Sequence, residues 1–509
     1  MMLRTIREYV DFQAAKEPDA IYLIAPEPNL TMTFGGLQQA SRALARYLAK
    51  REIRPGEKVA LLMQNGYQTC RLFIGAMYGG FCVTPLNLLA QASQLEYVLN
   101  HSDASIVFVS PDQLERLHTA LSKVARKIQV VVCDVDTEEF ITASCQITEM
   151  TEELPSVSEE DDALMMYTSG TTGTPKGVVL TNRSVISGGQ FVSAAHELGP
   201  KDRVMASLPL YHINAQIVTA TSTLVHGGSL VLPHRFGVSH FWRLVAQYEC
   251  SWINLVPTMV SYLLQGAEVL DKNLDISRVR FCRSASAPLP PDLHRAFEDR
   301  FNIGIIETMG LTETAAPCFT NPLDSARRKI GSAGRAFGNE AKIINPEGTK
   351  LPSGGTGEIM VRGPNVMNGY YKNPEETAKT LTAEGWLHTG DLGYLDEDGF
   401  VFVTGRIKEL IIKGGENIAP REIDEALLKH PAVLEAAAVG IPDQHYGQEI
   451  MVCVVLKIGQ QCSEDELRIF CRNELGAYKT PKLIRFQDEL PKGPSGKVQR
   501  LKLLQPAEC

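Results

Sequence analysis

Tyr167-Thr168-Ser169-Gly170-Thr171-Thr172-Gly173-Thr174-Pro175-Lys176-Gly177 is the stretch that decides how the rest of the chain reads. The apolar run Ala163-Leu164-Met165-Met166-Tyr167 leads into it and Val178-Val179-Leu180 leads out, and both read as buried strands. Between those runs stand five hydroxyl residues, three glycines, one proline and one lysine. Glycine lets backbone N–H groups close on an anion and hydroxyls add donors, so this composition suits a loop wrapped around phosphates. It is not a Walker A loop, because no Gly-Lys-Ser/Thr follows a glycine and a four-residue spacer. Taken alone, the stretch also fits a solvated surface loop, and the remainder of the chain decides between the two.

With 509 residues the chain is too long for one ordinary core, so two or more domains are expected. An apolar content of 44% with 21% charged residues is that of a water-soluble globular protein. A net charge of −9 argues against nucleic acid as a partner. The eleven cysteines are scattered, odd in number and without a C-x-x-C pair, which fits a reducing compartment with no disulfide frame and no zinc site. Met1 to Ala20 carries acidic residues and no apolar core segment, so it does not read as a signal peptide. No run of 18 apolar residues exists, so no transmembrane segment is expected. The ending Pro506-Ala507-Glu508-Cys509 is not a peroxisomal Ser-Lys-Leu address, and a cytoplasmic location is the default expectation.

Helix-like and strand-like patterns alternate through residues 1–160, with no short repeat and no low-complexity tract. Thr33 is placed to cap a helix bearing Leu37, Ala40, Leu44 and Leu48, while Val59–Met63 and Ser105–Val109 read as strands. The alternation resumes over 203–311. Strands are expected at Arg203–Leu208, Ser229–Leu232, Trp252–Val256, Arg280–Ser284 and Ile305–Glu307, and helices at Tyr211–Val225, Ser239–Tyr248 with Ser239 as cap, and Pro291–Phe301. Such alternation implies parallel sheets covered by helices on both faces, an α/β doubly wound architecture whose ligands sit beyond the carboxyl ends of the strands. After about 340 the strands shorten and turns multiply, which suggests a small antiparallel or barrel-like subdomain. Residues 409–509 read as a small α+β unit, with helices at Pro420–Lys429 and Glu464–Leu475, strands at Ala436–Val439 and Met451–Leu456, and a Ser463-x-x-Glu466 capping box.

The Tyr167–Gly177 loop resembles the nucleotide-phosphate signature of the adenylate-forming enzymes: acyl- and aryl-CoA synthetases, nonribosomal-peptide adenylation domains and firefly-type luciferases. The resemblance continues in order along nearly the whole chain. It implies nucleotide contacts from Thr168, Ser169, Gly170, Thr171, Thr172, Gly173 and Lys176. Glu307-Thr308-Met309-Gly310-Leu311-Thr312-Glu313 resembles the adenine and magnesium motif, with Thr312 at the α-phosphate and Glu313 as the Mg²⁺ ligand. Met309 stands where the family more often has Tyr, though an apolar side chain can still pack on a purine. Ser284-Ala285-Ser286-Ala287-Pro288 resembles the segment lining the adenine and the acid. His388-Thr389-Gly390-Asp391 matches the ribose motif, and Arg406, 15 residues on, the second ribose and phosphate contact. Gly405–Asn417 matches the hinge, with Lys408 as pivot, and the following loop, where Lys413, Gly414, Gly415 and Glu416 would flank coenzyme A. Pro491-Lys492-Gly493-Pro494-Ser495-Gly496-Lys497 matches the final P-x4-G-K motif, whose lysine stabilises the charge that builds as a carboxylate attacks a phosphate. A lysine in a Gly/Pro-rich tail is by itself usually just solvated; five motifs in family order are not coincidence.

The resemblance thus implies a large N-terminal domain over 1–404, a hinge at 405–408 and a mobile C-terminal domain over 409–509. ATP, Mg²⁺ and coenzyme A are the implied cofactor and co-substrates, a small-molecule carboxylic acid is the implied partner, and a homodimer is compatible with the family. The acid pocket is expected to hold Tyr211, His212, Asn214, Arg283 and Ser284, with His212 gating the carboxylate. No Asp stands near Tyr211–Asn214 to bind an amino group, which argues against an amino acid. Asn214 and Ala215 occupy the place where several CoA ligases open a deep tunnel, so a small or polar acid is expected rather than a long fatty acid. The local sequence is similar to crotonobetaine/carnitine-CoA ligase around 208–214 and to oxalyl-CoA synthetase-like enzymes around 283–284 and 405–425. Two alternatives stay open: transfer of the acyl group to a carrier-protein thiol, or a medium-chain or aryl acid. A degenerate nucleotide-binding regulator is disfavoured by the joint presence of Thr312, Glu313, Asp391, Arg406 and Lys497.

Overall fold

The computed structural model describes residues 3–138, 153–168, 175–266, 274–493 and 497–504. Among these, the centre of the molecule is a run of six parallel strands in the spatial order Ile305–Leu311, Phe281–Ser284, Trp252–Leu255, Arg203–Met205, Ser229–Val231 and Ile21–Ala25, with Leu30–Thr33 antiparallel at the edge. Nearly every residue of the four strands from Ser229–Val231 through Phe281–Ser284, and of the first half of Ile305–Leu311, is buried, because helices cover both faces. A second sheet has the order Gly369–Tyr370, Lys176–Thr181, Asp162–Thr168, Cys82–Pro85, Lys58–Leu62, Ala104–Val109 and Gln129–Val132. The two runs that bracket the opening stretch are therefore an antiparallel pair, and Thr168 sits opposite Lys176. Residues 169–174 between them, including Ser169, Gly170, Thr171, Thr172 and Gly173, lie outside the described residues.

The expected α/β architecture is present, and local signals place many elements well. Thr33 caps Phe34–Lys50 by accepting from the Gly36 N–H, and Ser463 forms its box with Glu466 at the head of Glu464–Lys479. Two expected helices differ. The helix expected from Ser239 begins at Val238, with Gly237 in the cap position and no side-chain cap. The helix expected over Tyr211–Val225 is a π-helical segment, Asn214–Thr221, followed by a short α-helix, Ser222–His226. Its hydroxyls explain the widening. Thr219 donates to Ala215 O, Thr221 to Gln216 O and Ser222 to Val218 O, so side chains compete for the carbonyls of the turn.

The antiparallel stretch expected after 340 extends the parallel sheet instead of standing apart. Ile305–Leu311 pairs with Ala316–Thr320, and the path continues through Gly334–Ala336, Phe400–Arg406, Leu387–Leu395 and Gly357–Arg362 to Glu340–Ile344. A third sheet of five strands, built on the long pair Val433–Asp443 and Gly447–Leu456, carries the last part of the chain with its own apolar core around Ile423, Leu427, Val452 and Leu467. Among the described residues no helix is long and apolar enough to cross a membrane.

Candidate active site

Three segments far apart in sequence meet at the end of Ile305–Leu311. Gly310 sits there without room for any side chain: a Cβ would lie 1.5 Å from Ala316 O. Ala315 and Ala316 both adopt left-handed φ, 45° and 74°, which folds the chain back immediately after Glu313. Glu313 is half-buried, and one of its carboxylate oxygens accepts from the Tyr370 hydroxyl at 3.0 Å. Thr312 and Met309 are likewise half-buried at this edge, Met309 packing on the main core.

Asp391 and Arg406 are cross-strand partners, which explains their 15-residue spacing. Asp391 is buried and accepts from Arg406 Nε at 2.6 Å. The turn before Asp391 is held by Glu358: His388 Nδ1 lies 2.9 Å from one of its oxygens and the Gly390 N–H donates to the other at 3.0 Å. Arg406 also feels the charges of Glu409 and Glu313.

Lys497 is brought to the same place, with 37% of its side chain exposed and its ammonium 3.8 Å from Glu409. Loss of water around it, and then Arg406, lower its pKa, while Glu409 and Asp391 act in the opposite direction. Arg500, one turn on, bridges Glu409 and the buried Asp424 and donates to Ala438 O at 2.8 Å, so the chain is anchored just after Lys497. The preceding residues Pro494, Ser495 and Gly496 lie outside the described residues.

Lys176 forms an ion pair with Glu376 and lies 5.1 Å from the centre of the Tyr370 ring. The Glu376 carboxylate is held low chiefly by Lys176, with a further contribution from Lys408. The exposed Lys408 in the turn Ile407–Glu409 thus stands near the foot of the phosphate-type loop.

The acid-pocket candidates form one polar cluster inside the parallel sheet. Arg283 is 2% exposed and donates from Nη1 to Asn214 Oδ1 and Asn254 Oδ1, each at 3.2 Å. Asn254 donates to Asn214 at 3.1 Å, and Asn214 donates to Ser286 Oγ at 3.1 Å. Ser286 holds a left-handed φ of 74°, uncommon for a residue with a Cβ. No carboxylate pairs with Arg283 among the described residues, and burial pushes its pKa down to about 9. Asn214 therefore does more than fill space: it is locked by three hydrogen bonds.

Tyr211 and His212 are half-buried just ahead of Asn214 in the chain. Loss of water around the His212 ring pushes its pKa down to about 4, so the ring is neutral near pH 7. Its Nδ1 accepts from the Asn214 N–H at 3.3 Å, which leaves Nε2 as the protonated nitrogen. Ser284 and Glu307 are buried, and Glu307 accepts from the Leu289 N–H at 3.1 Å, drawing Ala287 and Pro288 against the strand that carries Thr308. Burial pushes the Glu307 carboxyl up to about 7.

The 413–416 turn is different. Lys413 is buried against Glu449 at 2.9 Å and donates to Tyr478 O at 2.8 Å, so its ammonium is already engaged. Gly414 and Gly415 have φ of 56° and 87°, and with Glu416 they are exposed. No hydrogen bond or ion pair joins 413–416 to Asp391, Arg406 or Lys497 among the described residues.

Sequence reasoning missed Asn254, Glu358, Tyr370, Glu376 and Arg500. For Asn254 a signal existed, since it interrupts the otherwise apolar buried run Trp252-Ile253-Asn254-Leu255. For the others nothing local marks the partner.

Comparison with known proteins follows the same lines. A family model described as AMP-binding enzyme matches residues 10–371, and one described as AMP-binding enzyme C-terminal domain matches 422–497. A sulfoacetate–CoA ligase of Cupriavidus necator is 51% identical over 500 residues, covering 98% of this chain and 97% of that protein. An oxalate–CoA ligase of Arabidopsis thaliana is 34% identical, with 90% of each chain covered. Among solved structures, ATP-bound MatB from Rhodopseudomonas palustris superposes with a TM-score of 0.88 at 28% identity, covering 98% of both chains.

Proposed function

The chain belongs to the AMP-binding enzyme family, and from that membership we propose that it is an ATP-dependent carboxylic acid–CoA ligase for small, polar acids. The observation that carries this reading is the meeting of Lys497 with Asp391, Arg406 and, through Arg406, Glu313. In the first step the acid's carboxylate attacks the α-phosphate of ATP, giving acyl-AMP and pyrophosphate. Two anions must approach each other there, and the Lys497 ammonium stabilises the charge that develops between them. Asp391 holds the ribose hydroxyls and Arg406 orients Asp391. Neutral His212 donates from Nε2 toward the acid's carboxylate, and Thr312 toward the α-phosphate. In the second step the thiol of coenzyme A attacks the acyl carbon and AMP leaves.

For Mg²⁺, Glu313 offers one carboxylate, and no group of three or more His, Cys, Asp or Glu is clustered for a metal among the described residues. That donor set suits an ion carried mostly by the nucleotide's phosphates, where it would neutralise the leaving pyrophosphate.

The two steps require different neighbours, so residues 409–509 would rotate about Lys408, withdrawing Lys497 and turning Gly414, Gly415 and Glu416 to the adenylate. The buried Lys413–Glu449 pair supports a structural part for Lys413 within that turn, anchoring the exposed glycines. For the acid, the Asn214–Arg283–Asn254–Ser286 cluster favours a short polar molecule, and the relatives named for sulfoacetate and oxalate agree with that. The test is pyrophosphate release and thioester formation with coenzyme A across short, aryl, betaine-type and dianionic acids, with carrier proteins as a control for the acceptor. Adenylation without thioester on coenzyme A would overturn the ligase reading.

A further inference from the structure

The backbone around Lys497 is braced by residues on either side of it. Lys492 and Val498 pair across a short antiparallel bridge, with the Gly493 N–H donating to Lys497 O and the Gln499 N–H to Pro491 O, each at 2.8 Å. What fixes Lys492 therefore fixes the turn that presents Lys497. The Lys492 ammonium donates to Glu435, in the strand Val433–Asp443, at 2.6 Å. The two side chains are only 18% and 17% exposed, and the other Glu435 oxygen is buried without a hydrogen-bond partner, so the carboxylate depends on this lysine. The same ammonium lies 5.6 Å from the centre of the Tyr262 ring. Tyr262 belongs to the helix Pro257–Gln265, which follows the strand Trp252–Leu255 of the parallel sheet. One lysine thus links the third sheet, the Lys497 turn and a helix of the parallel core.

A cation within about 6 Å of an aromatic ring is attracted by the ring's quadrupole, and more strongly where water is partly excluded. Tyr262 keeps 41% of its surface exposed, so its ring is a surface group and not part of the core. Longer-range charges act across the same two parts of the chain: Lys429, at the end of the helix Pro420–Leu428, feels Asp292, and Glu307 feels Arg421. We propose that Tyr262 is a positioning residue for adenylation, its ring receiving Lys492 and so holding Lys497 where the carboxylate meets the α-phosphate. Rotation of residues 409–509 about Lys408 would carry Lys492 away from the ring. A contact present in one of two arrangements shifts the population toward that one, so Tyr262 favours the first step and has no part in the second. The proposal rests on the acid–CoA ligase reading with its rotating C-terminal unit and adds the contact that sets the starting position.

The experiment is single-turnover kinetics of each half-reaction in the full chain, with the acid that releases pyrophosphate fastest among the short, aryl, betaine-type and dianionic set. The variants are Tyr262→Leu, Tyr262→Phe, Lys492→Met and the double variant Tyr262→Leu with Lys492→Met. Tyr262→Leu and Lys492→Met should each slow acyl-AMP formation roughly 3- to 10-fold, while acyl-AMP supplied with coenzyme A reacts within about twofold of the parent rate. Tyr262→Phe should restore the first step, because the attraction comes from the ring and not the hydroxyl. The double variant should be no slower than Lys492→Met alone, because both changes remove one contact. Lys492→Met strands Glu435, so the Tyr262 variants, at an exposed position, keep the test readable if that protein fails to fold. Adenylation within about twofold of the parent in Tyr262→Leu, equal slowing of both steps, no recovery with Phe, or additive losses in the double variant would each overturn the proposal. If Lys497→Ala, run alongside, slows both steps equally, it is the underlying reading with its rotating unit that fails.

Discussion

Replacing Lys497 with Ala should separate the two half-reactions without unfolding the protein. The Lys497–Glu409 contact is long, 3.8 Å, and 37% of the lysine side chain is exposed, so its loss should change stability by less than about 1 kcal/mol. Catalysis is another matter. An ammonium about 4 Å from developing charge, at an effective dielectric constant near 20, is worth about 4 kcal/mol. Removal of one preorganised charged contact to a transition state costs about 3–4 kcal/mol, or roughly 10²–10³ in rate. The adenylation step should fall by that factor, while acyl-AMP supplied directly should react with coenzyme A at nearly the parent rate. Single-turnover kinetics of acid plus ATP, and separately of acyl-AMP plus coenzyme A, measure the two. A melting temperature within a few degrees of the parent checks the fold. Equal slowing of both steps would show that Lys497 supports the structure instead of the transition state, and the alternating mechanism would lose its main support.

Other outcomes can be checked with similar effort. Lys408→Pro fixes φ at the pivot and should leave acyl-AMP formation intact while thioester formation stalls, seen as a stoichiometric burst of pyrophosphate. Asp391→Ala should weaken nucleotide binding and slow both steps; rates within about twofold of the parent, some 0.4 kcal/mol, would remove Asp391 from the ribose site. Asn214→Ala breaks the bonds to Ser286, Asn254 and Arg283 and should cost about 1–3 kcal/mol of stability as well as raising KM for the acid; an unchanged melting temperature would show that the network contributes nothing. Glu307→Gln addresses pH. The folded carboxyl, held up at about 7 by burial, keeps its proton where the unfolded one has lost it, so the folded state loses stability as pH rises from about 4.5 and the loss levels off above about 7. The penalty at full ionisation is about 3 kcal/mol, and the Gln variant should melt higher than the parent at pH 8 with little difference at pH 4.5. Parallel melting curves at both pH values would contradict that account.

The sequence by itself determined what is encoded within a few residues. The alternation of helix and strand set the parallel core, because burial on both faces demands near-continuous apolar runs such as Ala104–Val109 and Trp252–Leu255. The caps at Thr33 and Ser463 were legible because a hydroxyl and the N–H it accepts from stand three residues apart. The helix Pro291–Phe301 was legible from proline at its first position. The order of the motifs named the reaction. The π-helical turn at Asn214–Thr221 was not legible, since Thr and Ser in a helical window give no local sign that their hydroxyls will compete with the backbone.

Only the tertiary structure decided which polar groups meet. Arg283 lies 69 residues from Asn214, Lys176 lies 200 from Glu376, and Glu313 lies 57 from Tyr370. Nothing within a turn of any of them specifies the other. Their partnership is fixed by how sheets and helices stack, and that is set by burial of apolar surface, which is non-directional and carries no instruction about a particular carboxylate or guanidinium.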